Sequence, residues 1–462
     1  MADPALKQLY EPTSVEPSER RAAGGGEMTR RRCLLPSSAA PALEDDDILS
    51  DILHRLPPRP SSLPRASFVC NQWRRLVSNP HFLRRFRERH RKPPILGFFS
   101  QWVDVEFTSA LDSPDRIPAS RFSLGLADAT YFQIVDCRHS RVLFLNRDRL
   151  CFLVWAPVTG KKCFVDFPPS FRGKDVKWVA NGAVVCAASE QGHVHGGCHS
   201  DPFQVVLLSA GRYGEGVSAC VYSSETCTWG NVVSVFLPRN MAAIATDCAN
   251  TLVGNSVFWF VLGSGFGVLK FDLHRQSLDT IELPSGVVGF DAWCRTYCQF
   301  SITPADGGGL NLLYLSDFSA QVWKWKVDYD GGAGWMLGSS FDLNNLLSLK
   351  AGVDTRAPEL LGMDEDDNTV FLLTNVGVFM LHLESMKFKK LPIIISGNFG
   401  IHYPFRSFYS AGLQKGPDKQ LVEMGAEALK AATLAFHPQE AAKDDSEGCS
   451  SPVMLPKEDA RL

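Results

Sequence analysis

The chain lacks a long apolar run. Its longest, Asn255 to Lys270, is interrupted by Gly263, Ser264, Gly265 and Gly267 and falls short of the ~18 residues a membrane span needs. Met1 to Tyr10 carries Asp3, Pro4 and Lys7 with no apolar run behind them, which is not the make-up of a secretory signal. Net charge is only −3, so a global basic field for nucleic acid is missing. Glycine (37) and proline (28) are too few for a collagen-like or linker-dominated chain. The 13 cysteines are scattered and odd in number, which is not a disulfide framework. Without an export signal they are expected to stay reduced, in cytoplasm and/or nucleus. What is present is a globular mix, 45% hydrophobic and 21% charged, over 462 residues. That is length for about three domain-sized units with a sizeable core.

Four regions follow from patterning. Residues 1–41 read as a disordered tail, rich in Pro, Ser, Gly and charge, with Gly24-Gly25-Gly26 and Arg30-Arg31-Arg32. Residues 42–90 read as a small helical unit. Asp45-Asp46-Asp47 opens a helix, Ile48, Leu49, Ile52, Leu53 and Leu56 recur on one face, and Pro57-Pro58 stops it. Ser61 or Ser62 is placed to cap a second helix, with Pro64 in its first turn. Leu63, Phe68, Val69, Trp73, Leu76 and Val77 supply apolar positions through that helix and the next. Asn79-Pro80 breaks the chain again before Phe82, Leu83 and Phe86. So small a unit has a marginal core and more apolar surface than it hides, so it needs a neighbour or a partner.

Residues 95–413 lose the helical period. Short runs rich in Val, Phe, Leu, Tyr and Trp take over, bounded by turn residues. Arg141 to Leu145, Cys151 to Trp155, Gln204 to Leu208, Ser256 to Leu262, Leu310 to Leu315 and Thr369 to Leu373 are examples. A weak repeat runs through them. Anchoring it on Trp155, Tyr222, Phe271, Trp325 and Leu381 gives steps of 67, 49, 54 and 56 residues. Phe167-Pro168-Pro169, Leu237-Pro238, Leu283-Pro284 and Leu391-Pro392 recur after most anchors. Loop-stretched periods of about 40 to 50 residues suit four-stranded propeller blades. A further unit is expected from Ile95 to about Val135, making about six. Residues 414–462 form a second tail, with a possible helix at Gln420 to Phe436. The fold class is α+β and multidomain: a few short helices, then an all-β propeller-like domain.

Candidate chemistry is sparse. His193, His195, Cys198 and His199 lie within seven residues and are zinc-type ligands. Adjacent Cys198 and His199 seldom reach one ion, and Gly192, Gly196 and Gly197 suit a flexible inter-strand loop, so no metal and no cofactor is expected. Cys294 and Cys298 are too widely spaced for a redox pair. Asp364-Glu365-Asp366-Asp367-Asn368 reads as a solvated acidic hairpin. Arg84, Arg85, Arg87, Arg89, Arg91 and Lys92 form the sharpest charge run. Few aromatics interleave with it, so a solvated helix face is expected rather than nucleic-acid binding. No ordered nucleophile–base set or carboxylate pair marks an enzyme.

Leu43 to Phe86 resembles an F-box. Asp46-Asp47-Ile48-Leu49-Ser50-Asp51-Ile52-Leu53-His54-Arg55-Leu56-Pro57 is similar to the family's opening helix and its Leu-Pro stop, with Glu44-Asp45 where the family usually has Leu-Pro. Val69-Cys70-Asn71-Gln72-Trp73-Arg74 and Ser78-Asn79-Pro80-His81-Phe82 are similar to the second and closing signatures. The β region, at Asp136 to Leu143 and Val154 to Gly160, resembles the kelch-like substrate-receptor half of plant F-box proteins. The resemblance implies a non-catalytic, substrate-recruiting subunit of a cullin–RING ubiquitin ligase. A Skp-family adaptor would join it to the cullin and RING subunit, and a protein target would sit on the β domain. It implies adaptor contacts at Leu43, Ile48, Leu49, Ile52, Leu53, Leu56, Pro57, Leu63, Val69, Cys70, Trp73, Leu76 and Phe82. The competing reading is a propeller enzyme or small-molecule-binding protein outside ubiquitination.

Overall fold

The computed structural model describes residues 45–410, apart from 102, 126–130, 173–179, 189–192, 211–215, 238–240, 246–247, 264–265, 285–286, 288–298, 306–307, 328–331, 350–356 and 394–400. Both expected tails, the possible helix at Gln420 to Phe436, Leu43, Cys294 and Cys298 lie outside the described residues. The chain divides into two compact units, Met1–Leu49 and Ser50–Leu462.

Among the described residues, four helices come first. In α1 (Asp46–Leu53) the carboxylate of Asp45 accepts from the amides of Asp47 at 2.8 Å and Ile48 at 3.4 Å, filling orphan donors of the first turn. Then follow α2 (Ser62–Ser67), α3 (Asn71–Val77) and α4 (Pro80–His90). The break expected at Asn79-Pro80 is the start of α4. Asn79 Oδ1 accepts from the His81 amide at 2.8 Å and Pro80 occupies the first turn. Ser61 does not cap α2 with its side chain. Its amide instead donates to the carboxylate of Asp115 at 3.0 Å. Leu53, Leu63, Ala66, Val77, Phe82 and Phe86 are buried. His54 bolts the helices together: its ring stacks on Phe82 at 4.2 Å, and its Nε2 sits 3.2 Å from the Phe82 carbonyl.

The rest is a six-bladed propeller. Blade 1 is Gln133–Arg138, Arg141–Asn146, Cys151–Ala156 and Lys161–Asp166, each antiparallel to the next. Blade 2 runs from Ala180–Cys186 through Phe203–Ala210 and Val217–Ser223 to Thr228–Trp229. Blade 3 runs from Met241–Ile244 through Ser256–Gly263 and Phe266–Asp272 to Ser277–Glu282. Blade 4 is Phe300–Ala305, Gly309–Ser316, Ser319–Val327 and Ala333–Asp342. Blade 5 is Glu359–Asp364, Thr369–Thr374, Gly377–His382 and Phe388–Lys390. The repeat anchors Trp155, Tyr222, Phe271, Trp325 and Leu381 all fall on the third strand of successive blades.

Strand alternation explains why these runs read as continuously apolar. In Ser256–Gly263, Val257, Trp259 and Val261 pack with blade 2, whereas Phe258 and Phe260 pack with blade 4. In Phe203–Ala210, Val205 and Leu207 face blade 1, and Val206 and Leu208 face blade 3. Each core is therefore shared by two blades. The recurrent Leu-Pro has a packing role. Phe167 packs between blades 1 and 2, Leu237 between 2 and 3, Leu283 between 3 and 4, and Leu391 between 5 and 6. Each follows the last strand of its blade, and Phe167 and Leu391 still bond to the neighbouring strand just before their prolines.

Ile95 to Val135 does not form a blade of its own, contrary to the expected unit there. Blade 6 joins Ile95–Gln101 and Val105–Ser109 to the last described strand, His402–Arg406. His402–Arg406 is the inner strand, beside Glu359–Asp364 of blade 5 and Gln133–Arg138 of blade 1. Phe405 closes the ring. It meets Phe99 at 5.2 Å and Phe122 at 5.6 Å, both edge-on.

Candidate adaptor interface and the centre of the propeller

The helical residues separate into two groups. Leu49, Leu53, Leu63 and Phe82, expected on the partner face, are buried, so they act as interior. Leu56, Trp73 and Leu76 are half-buried. Ile48, Pro57 and Cys70 are exposed. Ile52 is 43% exposed and Val69 60%. Phe68, absent from the expected contact set, is 56% exposed. Its spacing suits one more apolar position of the helical unit, but it is the C-cap of α2 and turns outward. The exposed apolar residues thus lie on α1 and at the α2–α3 turn rather than on one helix.

Polar side chains from several blades converge on the propeller centre. The segment Asp136 to Arg141, singled out in sequence as part of the first repeat, does much of the joining. Asp136 accepts from the amides of Cys137 (2.8 Å) and Val184 (2.7 Å). Arg138 lies 3.2 Å from Asp136 and 3.0 Å from Glu365, and donates to Asn250 Oδ1 at 2.7 Å. Asn250 Nδ2 then donates to the carbonyls of Val135 and Gly182, both at 3.1 Å. One guanidinium thus ties blades 1, 3 and 5. Burial pushes the Asp136 carboxyl up to about 6 against the pull of Arg138, and that of Glu365 up to about 8.

The acidic turn is not the solvated hairpin expected. Asp364 is buried and paired with Arg406, and Glu365 is paired with Arg138. Asp367 is paired with Lys92 and, at 3.4 Å, with Arg406. Arg406 also donates to the Pro93 carbonyl at 2.8 Å. The basic run at the end of α4 therefore is not simply a solvated face: Lys92 docks on the propeller, and Arg87 is half-buried beside Gly197.

The His-rich loop, residues 187–202, leaves blade 2 after Cys186 and returns at Phe203, its partner in the ladder. Hairpin closure gathers a set of donors that linear spacing hid. Cys186, His193, His195 and Cys198 bring one ligand atom each to within 4.8 Å of all the others. His193 Nε2 lies 3.4 Å from Cys186 Sγ and 3.3 Å from Cys198 Sγ, and His195 Nδ1 lies 3.6 Å from Cys198 Sγ. Hydrogen bonds from Cys198 and His195 hold the Cys186 thiol well below its ordinary range. His199 is not in the set. It is buried, and burial next to Arg87 and Arg141 pushes its imidazole down to about 4. Sequence spacing had offered His199 and missed Cys186, which stands at the end of a strand.

Comparison with known proteins bears on the two domains separately. A search of curated proteins finds no match to this chain. Among solved structures, the fold is similar to one in a nidogen/laminin complex, with 8% identity over 66% of this chain and 95% of that one and a TM-score of 0.35. It is also similar to a luciferin-regenerating enzyme, with 8% identity over 57% and 77% and a TM-score of 0.31. A third is an aldose sugar dehydrogenase from Streptomyces coelicolor, with 12% identity over 54% and 77% and a TM-score of 0.26. Likenesses this distant bear on neither activity nor partners. The F-box domain model matches residues 45–85, from the start of α1 into α4. The model described as F-box protein AT5G49610-like, beta-propeller matches residues 133–405, from the first strand of blade 1 to the closing strand of blade 6. The chain therefore belongs to the F-box protein AT5G49610-like β-propeller family.

Proposed function

We propose that this protein is the substrate-recruiting subunit of a cullin–RING ubiquitin ligase. Its helical unit docks a Skp-family adaptor, which joins it to the cullin and RING subunit, and its propeller holds a protein target. The observation that carries this reading is the exposed apolar set Ile52, Phe68 and Val69 on a helical unit whose interior is already filled by Leu53, Leu63, Phe82 and Phe86. Exposed apolar groups beside a complete core are what a stable partner covers. The F-box match over residues 45–85 supports the choice of partner. The propeller's part is the reading of targets by its inter-strand loops, as loops on a rigid scaffold commonly do. On this reading the chain performs no chemistry itself, because ubiquitin transfer belongs to the other subunits. No helix among the described residues is long and apolar enough to cross a membrane. A reducing compartment, cytoplasm or nucleus, goes with this reading.

Co-expression of the full chain with a Skp-family adaptor, followed by size exclusion, tests this. Co-elution of the two as one complex is the expected result. A soluble, folded chain that elutes alone at micromolar concentration overturns the reading.

A further inference from the structure

We propose that Cys186, His193, His195 and Cys198 bind one zinc ion as a closed, structural site, and that the ion fixes the loop on which the F-box helices and the propeller meet. The proposal stands apart from the ligase reading, because it concerns the chain's own architecture.

The donors fit the ion. Two thiolates and two imidazole nitrogens are a standard tetrahedral zinc set, and four protein ligands leave no open position for catalysis. With Zn–S of about 2.3 Å and Zn–N of about 2.0–2.1 Å, a tetrahedron has sulfur–nitrogen edges of about 3.6 Å. Three of the four sulfur–nitrogen separations are 3.3, 3.4 and 3.6 Å, and the fourth is within 4.8 Å. Both cysteines bind as thiolates, so they balance the charge of the ion in a site where Cys198 is buried.

The surroundings orient the ligands, as outer partners of a metal site do. The second ring nitrogen of His193, Nδ1, faces the Asp201 carboxylate at 3.7 Å. The His139 ring stacks on His195 at 3.9 Å, and its Nδ1 accepts from the Cys186 amide at 3.0 Å. Arg141 donates to the Cys198 carbonyl and, at 2.6 Å, to that of Asp201. These contacts hold both cysteines and both histidines from outside.

The position gives the ion a task. Within the loop the Gly196 carbonyl accepts from the Phe408 amide at 2.9 Å and from Ser407 Oγ at 3.1 Å. A Cβ on Gly196, whose φ is +95°, would lie 2.4 Å from Pro93, and one on Gly197 would lie 3.0 Å from Arg87 of α4. The loop therefore carries the exit of the F-box helices and the chain beyond blade 6. A single ion ties that loop to the end of Ala180–Cys186.

The test uses the full chain purified from cells grown with added zinc and dialysed into metal-free buffer. Elemental mass spectrometry is expected to find about one zinc per chain. Cobalt exchanged into the site should give tetrahedral visible bands with a thiolate charge-transfer band. Cys186→Ser and Cys198→Ser lose the zinc, and His199→Ala keeps it. A readout free of variants guards against misfolding. Zinc should shield Cys186 and Cys198 from alkylation of the native protein, while the exposed Cys70 and Cys227 react. A metal-free chain, a Cys186–Cys198 disulfide in place of metal, an octahedral cobalt spectrum, or equal labelling with and without zinc overturns the proposal.

Discussion

Trp259 of the propeller and Val69 of the helical unit are both apolar, yet one is fully covered and the other mostly bare. The difference lies in how each region is closed. Every blade of the propeller has a neighbour on both sides, so its inner strands find a core on both faces. The short helices have one shared interior, filled by Leu53, Leu63, Val77, Phe82 and Phe86, and nothing left for Ile52, Phe68 and Val69. A closed ring satisfies itself, and a small open bundle keeps surface in reserve for association.

The sharpest way to break the contrast is to disturb the ring where it closes. Phe405→Ala, at a buried site ringed by aromatics, should cost about 3–5 kcal/mol and lower the thermal midpoint of the whole propeller. Calorimetry that shows an unchanged main transition would mean the blades fold independently. Next in size is the helical face. Ile52→Asp with Val69→Asp should weaken adaptor binding at least about 100-fold, some 2.7 kcal/mol or more, with the propeller's melting unaltered. Calorimetric titration reads the first part and circular dichroism the second.

A smaller effect is expected from pH. Burial raises Asp136 and Asp364 to about 6 and Glu365 to about 8. Above about pH 4 the unfolded chain has released these protons while the folded chain still holds some. Their contribution is therefore full in acid and is lost as pH rises through about 6 and then about 8. The propeller's thermal midpoint should fall between pH 6 and about 8.5, and Glu365→Gln should flatten the upper part of that fall. A midpoint that climbs across this range in the parent chain contradicts it. The smallest effect sharpens the helical side. Asn79→Ala removes the α4 cap and should cost about 1 kcal/mol, with adaptor affinity unchanged.

Much of this was legible in sequence because repeats expose themselves. Trp155, Tyr222, Phe271, Trp325 and Leu381 mark equivalent strands, since a third strand packed on both faces needs large apolar residues in each blade. The Leu-Pro endings are legible for the same reason. Blade 6 was not, because its strands lie at opposite ends of the propeller sequence and no local period links Ile95 to Arg406. The acidic turn misled because paired carboxylates and solvated ones look alike until Arg138, Lys92 and Arg406 are brought beside them. Helix periodicity picks out Leu49 and Ile52 together, and only packing separates the inward residue from the outward one. Cys186 escaped notice because a hairpin, not a motif, carries it to His193.

The order of strands in blade 6 has a bearing on how the protein is made. Its outer strands, up to Ser109, leave the ribosome long before its inner strand, His402–Arg406. At about 5–20 residues per second the gap is roughly 15 to 60 s. During that interval the four helices are already complete, while the ring stands open with Phe98 and Phe99 awaiting their last neighbours. A nascent chain therefore has its docking helices before it has a finished receptor, and any transcript cut short before residue 402 yields the first without the second.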